Sequence, residues 1–362
     1  MNKKVFLIGD IGCDENGYLH VGDEAMWLRN VLRYKEMNWE ISSSERSPTA
    51  SIDGIRLVQD IRLNSREEYE KALVNPNSDQ ERIILTIRNN DLVHISGGGN
   101  LNSLWPGHLY YRLFIIRMCK KFDKKVIATS QTLGPLNKSD SALLAESIQY
   151  ISRIGIRDKD SSYQYLVSNN YPADRIIYTA DDSISSDWFY NCPIENYTGI
   201  SLHADLAKNP TLIDTLRIFS ETTSCKAIPH VLYGNADEMS EFNFLVSDEV
   251  DRKANLKDLI ESSIQKTQTA KFNITSRYHA AVFSLMANRP TICLSMNDYY
   301  DTKFRGILAG FDIPSAASLL RMEDIGQLSD KIKEIENIWS KQSVSCLHDK
   351  LSKLETNLKS FQ

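Results

Sequence analysis

The 362-residue sequence has little that would tie it to an oxidising compartment, to a membrane or to nucleic acid. Its six cysteines, Cys13, Cys119, Cys192, Cys225, Cys293 and Cys346, are widely scattered, with no C-x-x-C pair and no Cys/His metal spacing. Such scatter excludes a disulfide framework, gives no metal site, and reads as a reduced, cytoplasmic chain. The leading "MNKKVFLIGDIG" holds an apolar run too short for a signal peptide. No run approaches the roughly 20 apolar residues of a spanning helix. Membrane contact, if any, is then peripheral, at the inner face. The formal net charge of -5 argues against nucleic acid, whose binders usually carry a basic domain. No internal repeat or low-complexity tract is visible.

What is present is an ordinary globular composition, 42% apolar and 25% charged. The length calls for two domains of about 100–200 residues each. Short apolar runs that read as strands alternate with helical patterns. "KKVFLIG", "DLVHISGGGN", "KKVIATSQTLGP", "RIGIRD" and "RIIYTADDS" are strands, with helices such as "DEAMWLRNVLRYKE" and "HLYYRLFIIRMCKKF" between them. This is the pattern of a parallel sheet covered on both faces. "SSDWFYNCPIENYT" interrupts the rhythm, which resumes with "GISLHA", "CKAIPHV", "AKFNITS" and "RPTICLSM" as strands. The interruption predicts a boundary near residue 190, giving domains 1–190 and 191–362. The fold class is α/β, two doubly wound Rossmann-like domains facing a cleft. Ligands of such sheets bind beyond the carboxyl ends of the strands, so the loops that follow strands are the places to search.

Four such loops stand out. Gly97, Gly98 and Gly99 follow a strand and would let backbone N–H groups approach an anion. They form neither a G-x-G-x-x-G fingerprint nor a Walker loop, and a tight turn accounts for them equally well. Asp23 stands where a helix N-cap belongs, with Glu24 favouring the dipole; the functional reading makes it a carboxylate that takes a sugar proton. In "TSRYHAAVFSLMANRP" Ser276 is placed to cap a helix whose first turn carries Arg277 and His279. A helix N-terminus binds anions, and a guanidinium fork there suits phosphate or carboxylate. An imidazolium is disfavoured at that position unless a bound dianion reverses the preference, so His279 makes sense as an acid only with an anionic substrate. Arg157-Asp158 ends another strand and reads as a salt bridge within the turn or as a second anion contact. Lys303 follows the strand after the Arg-x-His helix.

Taken in order, "GDEAM", "SGGGNL", "QTLGP", "IRDKDS", "TADDS", "TSRYHAAVFSLMANRP" and "TKFRGIL" resemble the polysaccharide pyruvyl transferase family across most of the chain. The resemblance implies a two-domain fold of the GT-B glycosyltransferase type, with a last helix, around 347–361, packing back on the first domain. It implies no cofactor, phosphoenolpyruvate as donor, and a sugar diol, free or lipid-linked, as acceptor in cell-surface or exopolysaccharide biosynthesis. The donor's carboxylate and phosphate need cations, a role for Arg277, Arg157 and Lys303 beside Ser276, Gly97, Gly98 and Gly99. His279 is then the acid and Asp23 the base. Asn100, His20 and Asp181 fall to the acceptor. His20 stands where the family often has Asn, and Asp181-Asp182-Ser183 where it often has Asp-Pro-Ala. A glycosyltransferase using a nucleotide-sugar donor would occupy the same fold and use the same arginine. A non-catalytic sugar-binding relative is the third reading.

Overall fold

The computed structural model describes residues 2–12, 18–45, 54–185, 188, 193–233, 236–247, 256–339 and 344–361. The chain divides into two compact units. The first comprises residues 1–14, 23–183 and 356–362, and the second 15–22 and 184–355. Among the described residues, no helix is long and apolar enough to cross a membrane.

In chain order the first unit contributes β1 (Lys4–Ile8), then, after a short strand β2 (Tyr18–His20) that belongs to the second unit, α1 (Val21–Glu36), β3 (Glu40–Glu45) and β4 (Ile55–Gln59). There follow α2 (Arg66–Val74), α3 (Ser78–Asn89), β5 (Leu92–Ile95), β6 (Gly98–Leu101), α4 (Pro106–Lys121) and β7 (Lys125–Leu133). The unit ends with α5 (Lys138–Ile148), β8 (Arg153–Ile156), α6 (Ser161–Ser168) and β9 (Ile176–Tyr178). The strands lie in the order β4-β3-β1-β5-β7-β8-β9, all parallel, with β6 against β7. Strands covered on both faces must be apolar throughout, and β5 is buried at all four positions. Helix α4 is buried along most of its length, from Leu109 through Cys119, and supplies much of the core. The chain runs outward from β1 to β4, then returns to build the other half from β5. The topological switch point therefore lies between β1 and β5, where Asp10 and the Gly97–Gly99 run emerge.

The second unit opens with β10 (Glu195–Ser201), α7 (Pro210–Thr222), β11 (Cys225–Ala227), β12 (Val231–Tyr233), β13 (Ala236–Asp237) and β14 (Val246–Ser247). It continues with α8 (Leu256–Thr269), β15 (Ala270–Thr275), α9 (Tyr278–Met286), β16 (Thr291–Ser295), α10 (Asp298–Gly310), α11 (Ser315–Ser318), β17 (Leu319–Arg321), α12 (Leu328–Trp339) and α13 (Val344–Lys359), whose residues from 356 on count with the first unit. Its parallel sheet runs β14-β11-β10-β15-β16-β17, so its switch point lies between β10 and β15. The strand expected at "CKAIPHV" is split. Only Cys225–Ala227 joins this sheet, while Val231–Tyr233 pairs antiparallel with β2 and β13. Helix α9 ends as its sequence dictates: Asn288 takes a left-handed φ of 54°, and the Arg289 N–H returns to the Ser284 carbonyl at 3.0 Å.

Candidate functional site

At the switch point of the second unit, the ends of β10 and β15 are stitched together. The Ser276 N–H donates to the Ser201 carbonyl at 3.0 Å, and the Ser276 hydroxyl accepts the His203 N–H at 2.8 Å. That use of the hydroxyl corrects the expectation that Ser276 caps α9. Arg277 holds the N-cap position in an extended conformation, with no side-chain cap, and its N–H goes to the Thr275 hydroxyl at 2.8 Å. The N-terminus of α9, with Arg277 at its cap position, has the polarity that suits an anion.

The Arg277 guanidinium pairs through Nε and Nη2 with one oxygen of Glu238. The other oxygen accepts the N–H groups of His230 and Val231 at 3.0 and 3.1 Å. Burial raises the Glu238 pKa, and the guanidinium opposes that rise. Arg277 itself keeps 17% of its side chain exposed, so the pair is open on the arginine side. Burial, followed by the charges of His279 and Arg277, pushes the His230 imidazole down to about 3. Burial and then Arg277 push His203 down to about 4. Both rings are therefore neutral near pH 7.

His279 lies in the first turn of α9, half-buried, edge-on to Tyr278 at 5.3 Å and tilted against Phe283 at 6.3 Å. A Cβ on Gly22 would overlap its ring, so the glycine of "GDEAM" makes room for the imidazole. Lys303 follows β16, as expected, and lies inside α10. Its ammonium sits 5.0 Å from the ring centres of Tyr278 and Tyr299 and 5.7 Å from that of Tyr300. Burial raises the Tyr300 phenol, and the Arg277 charge opposes that rise. His20 lies on β2 opposite Val231, the residue after His230. The second unit thus gathers Ser276, Arg277, His279, Lys303 and His20, together with His203, His230 and Glu238, which sequence reasoning did not single out.

The first unit carries the remaining residues. Helix α1 starts at Val21, two residues before Asp23, so Asp23 lies in the first turn and is not the N-cap. Its neighbour Glu24 is buried and accepts the Gly12 N–H at 2.6 Å. The Gly97 N–H is already used, donating at 2.7 Å to Asp182. A Cβ at Gly97 would lie 2.9–3.1 Å from Met26, Ser130 and Asp182, so close packing requires this glycine. Gly98 and Gly99 form the start of β6. Asp182 is fully buried and accepts from Asn30, Ser96, Gly97, Thr129 and Ser130. Ser130 and Ala180, on either side of this hub, have left-handed φ values of 47° and 57°. Strain of that kind persists only where surrounding bonds over-determine it.

Arg157 pairs with Asp181 at 2.6 Å, and both side chains are buried. The salt bridge expected between Arg157 and Asp158 does not form. Asp158 accepts the N–H and hydroxyl of Ser162 at the start of α6. Asn100 donates its amide to Asp10, the residue two positions after β1. Arg112 Nη2 meets the same carboxylate at 2.5 Å, and His108 Nδ1 its other oxygen at 3.0 Å. Asp10 escaped notice in the sequence, although it follows the first strand, where a switch-point ligand belongs.

Solved structures share this architecture. UDP-GlcNAc 2-epimerase from Methanocaldococcus jannaschii superposes with a TM-score of 0.55 at 11% identity, covering 95% of this chain and 94% of that one. The Neisseria meningitidis UDP-GlcNAc 2-epimerase bound to UDP-GlcNAc gives 0.56 at 10%, covering 99% and 100%. Arabidopsis thaliana UGT89C1 complexed with UDP gives 0.51 at 10%, covering 98% and 100%. At such identities the likeness speaks for the fold alone, a GT-B-like pair of Rossmann-like domains. A comparison with curated protein sequences finds no match. The profile of the polysaccharide pyruvyl transferase family matches residues 23–298, which is most of the sequence and includes the Arg-x-His helix. The chain therefore belongs to the polysaccharide pyruvyl transferase family, a family of transferases.

Proposed function

We propose that the protein transfers pyruvate from phosphoenolpyruvate to two hydroxyls of a sugar, forming a pyruvate ketal and phosphate during cell-surface or exopolysaccharide biosynthesis. One observation carries the reading. The Arg277 guanidinium stands at the N-terminus of α9, beside a switch point, where an anion is favoured, and His279 lies in the same first turn. Phosphoenolpyruvate brings two anionic groups, and Lys303 among its tyrosines is a second cation near the same helix. His279 protonates the methylene carbon, and the central carbon becomes electrophilic as the phosphate bond weakens. Arg157, buried against Asp181, is assigned to the scaffold of the first unit.

A nucleotide-sugar donor is the competing reading, favoured by the fold shared with enzymes solved with UDP or UDP-GlcNAc. Thermal stabilisation separates the two. A ligand at about 100 times its Kd adds roughly 2.7 kcal/mol. The expected result is a rise in Tm with phosphoenolpyruvate and none with UDP- or GDP-sugars, and turnover in heavy water places deuterium in the ketal methyl group. Stabilisation by a nucleotide sugar alone overturns the proposal.

A further inference from the structure

His203 stands two residues after β10, at the switch point of the second unit, and its hydrogens can be placed. It caps the short 3₁₀ turn Ala204–Lys208, its Nδ1 accepting the Asp205 N–H at 3.2 Å. A ring nitrogen that accepts carries no hydrogen, so the hydrogen of the neutral imidazole sits on Nε2. The Asp205 carboxylate lies 3.5 Å from the same Nδ1, but it is exposed and pairs with Lys208 at 2.7 Å. Near pH 7 the ring has no second proton to offer it, because burial and then the Arg277 charge hold His203 neutral. Among the described residues Nε2 has no hydrogen-bond partner, and the side chain is 28% exposed.

Arg277 is presented in a similar way. Glu238 takes its Nε and Nη2, and the backbone N–H groups of His230 and Val231 pin the other oxygen of that carboxylate, so the guanidinium cannot turn. Its end-on edge, formed by Nη1 and the second hydrogen of Nη2, is left for a ligand. Among the described residues Nη1 has no partner. The two residues are tied through Ser276, whose hydroxyl accepts the His203 N–H at 2.8 Å and which precedes Arg277 in the chain. Glu238 cancels much of the arginine's charge, and His203 is neutral, so the pair offers directed N–H donors more than net charge. A planar carboxylate is satisfied by one guanidinium edge. The oxygens of a phosphate diverge and accept from two directions at once.

We propose that the phosphate of the donor is held between the end-on edge of Arg277 and the Nε2–H of a neutral His203. This rests on the pyruvyl-transfer reading for the identity of the donor. His203 acts here as a hydrogen-bond donor and not as an acid. When the bond between the central carbon and the bridging oxygen breaks, its electron pair goes to that oxygen and the departing phosphate gains charge. The Nε2–H bond strengthens as that charge grows, while the hydrogen stays on the nitrogen. Protonation of the methylene carbon remains with His279.

The test uses the full chain, with inorganic phosphate and phosphoenolpyruvate as probes. Nitrogen-15 NMR of the wild type is expected to place the His203 hydrogen on Nε2 and to show that resonance moving as phosphate is added. His203→Asn keeps an acceptor for the Asp205 N–H, since Asn is itself a favoured cap, but it lacks the outer donor. Its unliganded Tm should match that of the wild type, while its Kd for both probes rises by roughly 10–100-fold, the worth of a hydrogen bond to a charged group. His203→Gln puts an amide N–H near the place of Nε2 and gives up the cap, so it should recover much of the affinity. A role in capping alone would give the reverse order. A hydrogen found on Nδ1, no phosphate bound by the wild type, or His203→Asn binding both probes as the wild type does overturns the proposal. Phosphate bound and weakened in His203→Asn, with no binding of phosphoenolpyruvate, would sink the donor reading and leave the phosphate contact standing.

Discussion

Gly22 and His279 occupy space that only one side chain can fill. A Cβ built on Gly22 overlaps Nδ1, Cγ and Cβ of the histidine, so ring rotation alone does not relieve the clash. Gly22 lies in the first turn of α1, where alanine would ordinarily be favoured over glycine by about 1 kcal/mol. Gly22→Ala is expected to reverse that sign, costing roughly 1–3 kcal/mol as an overpacked site does. Turnover should fall with it. Urea unfolding checks the first statement and a phosphate-release assay the second; a stabilised, fully active Gly22→Ala protein would show that the histidine moves at no cost.

Arg277 is held by a buried carboxylate, and that complicates its mutation. Arg277→Ala leaves Glu238 buried without its counter-ion, with an expected loss of about 3–5 kcal/mol. Pairing it with Glu238→Gln removes the stranded charge. The double variant should regain most of the stability, because contacting residues are not additive, yet still fail to be stabilised by phosphoenolpyruvate. His279→Gln should do the opposite, keeping donor binding and losing roughly 10²–10⁴-fold in turnover. Differential scanning fluorimetry with and without phosphoenolpyruvate separates these outcomes.

Much of this was legible because it is local. The apolar runs of β1, β5 and β16 and the 3.6-residue spacing of α1 and α4 are set by neighbours in sequence. The left-handed stop of α9 at Asn288 has the same local cause. The partners of the charged groups were not legible. Arg157 sits beside Asp158 in sequence, yet its carboxylate is Asp181; Arg277 finds Glu238, 39 residues away. Asp182 collects donors from three separate segments, around Asn30, Ser96 and Thr129. The antiparallel trio of β2, β12 and β13 escaped for a related reason. Strands of two or three residues have no periodicity to read, and pairing alone defines them.

Stability should fall as the solution is acidified from pH 7, and the histidines give the sign. Burial lowers His94 to about 4, His203 to about 4 and His230 to about 3, against an unfolded value near 6.5. Between those limits the unfolded chain binds more protons than the native one, so stability rises with pH through the window and is lost as pH drops from about 6.5 toward 4. His94 alone, hydrogen-bonded between Tyr34 and Thr129, is worth on the order of 3 kcal/mol across the window. Glu238 and Asp158 act in the opposite sense, their raised values giving stability at low pH that disappears as pH rises through them. Urea midpoints measured from pH 7 to pH 4 should decline, and less steeply in His94→Asn. A flat profile would mean that these rings are charged in the native state.

The Arg157–Asp181 pair supplies the last expectation. Both side chains are buried, and Asp181 also accepts the N–H and hydroxyl of Ser183, at 2.9 and 2.5 Å, in the turn that follows left-handed Ala180. Removing the guanidinium would therefore strand a carboxylate and loosen the segment that carries Asp182. Arg157→Ala is expected to cost about 3–5 kcal/mol, the range for breaking a buried pair. If Arg157 belongs to the scaffold, Arg157→Met with Asp181→Asn should recover much of that loss, since it removes both buried charges while the Asn amide oxygen still accepts from Ser183. The recovered protein should be stabilised by phosphoenolpyruvate as the wild type is. A double variant that is stable but has lost donor binding would return Arg157 to the anion site that its place after β8 first suggested.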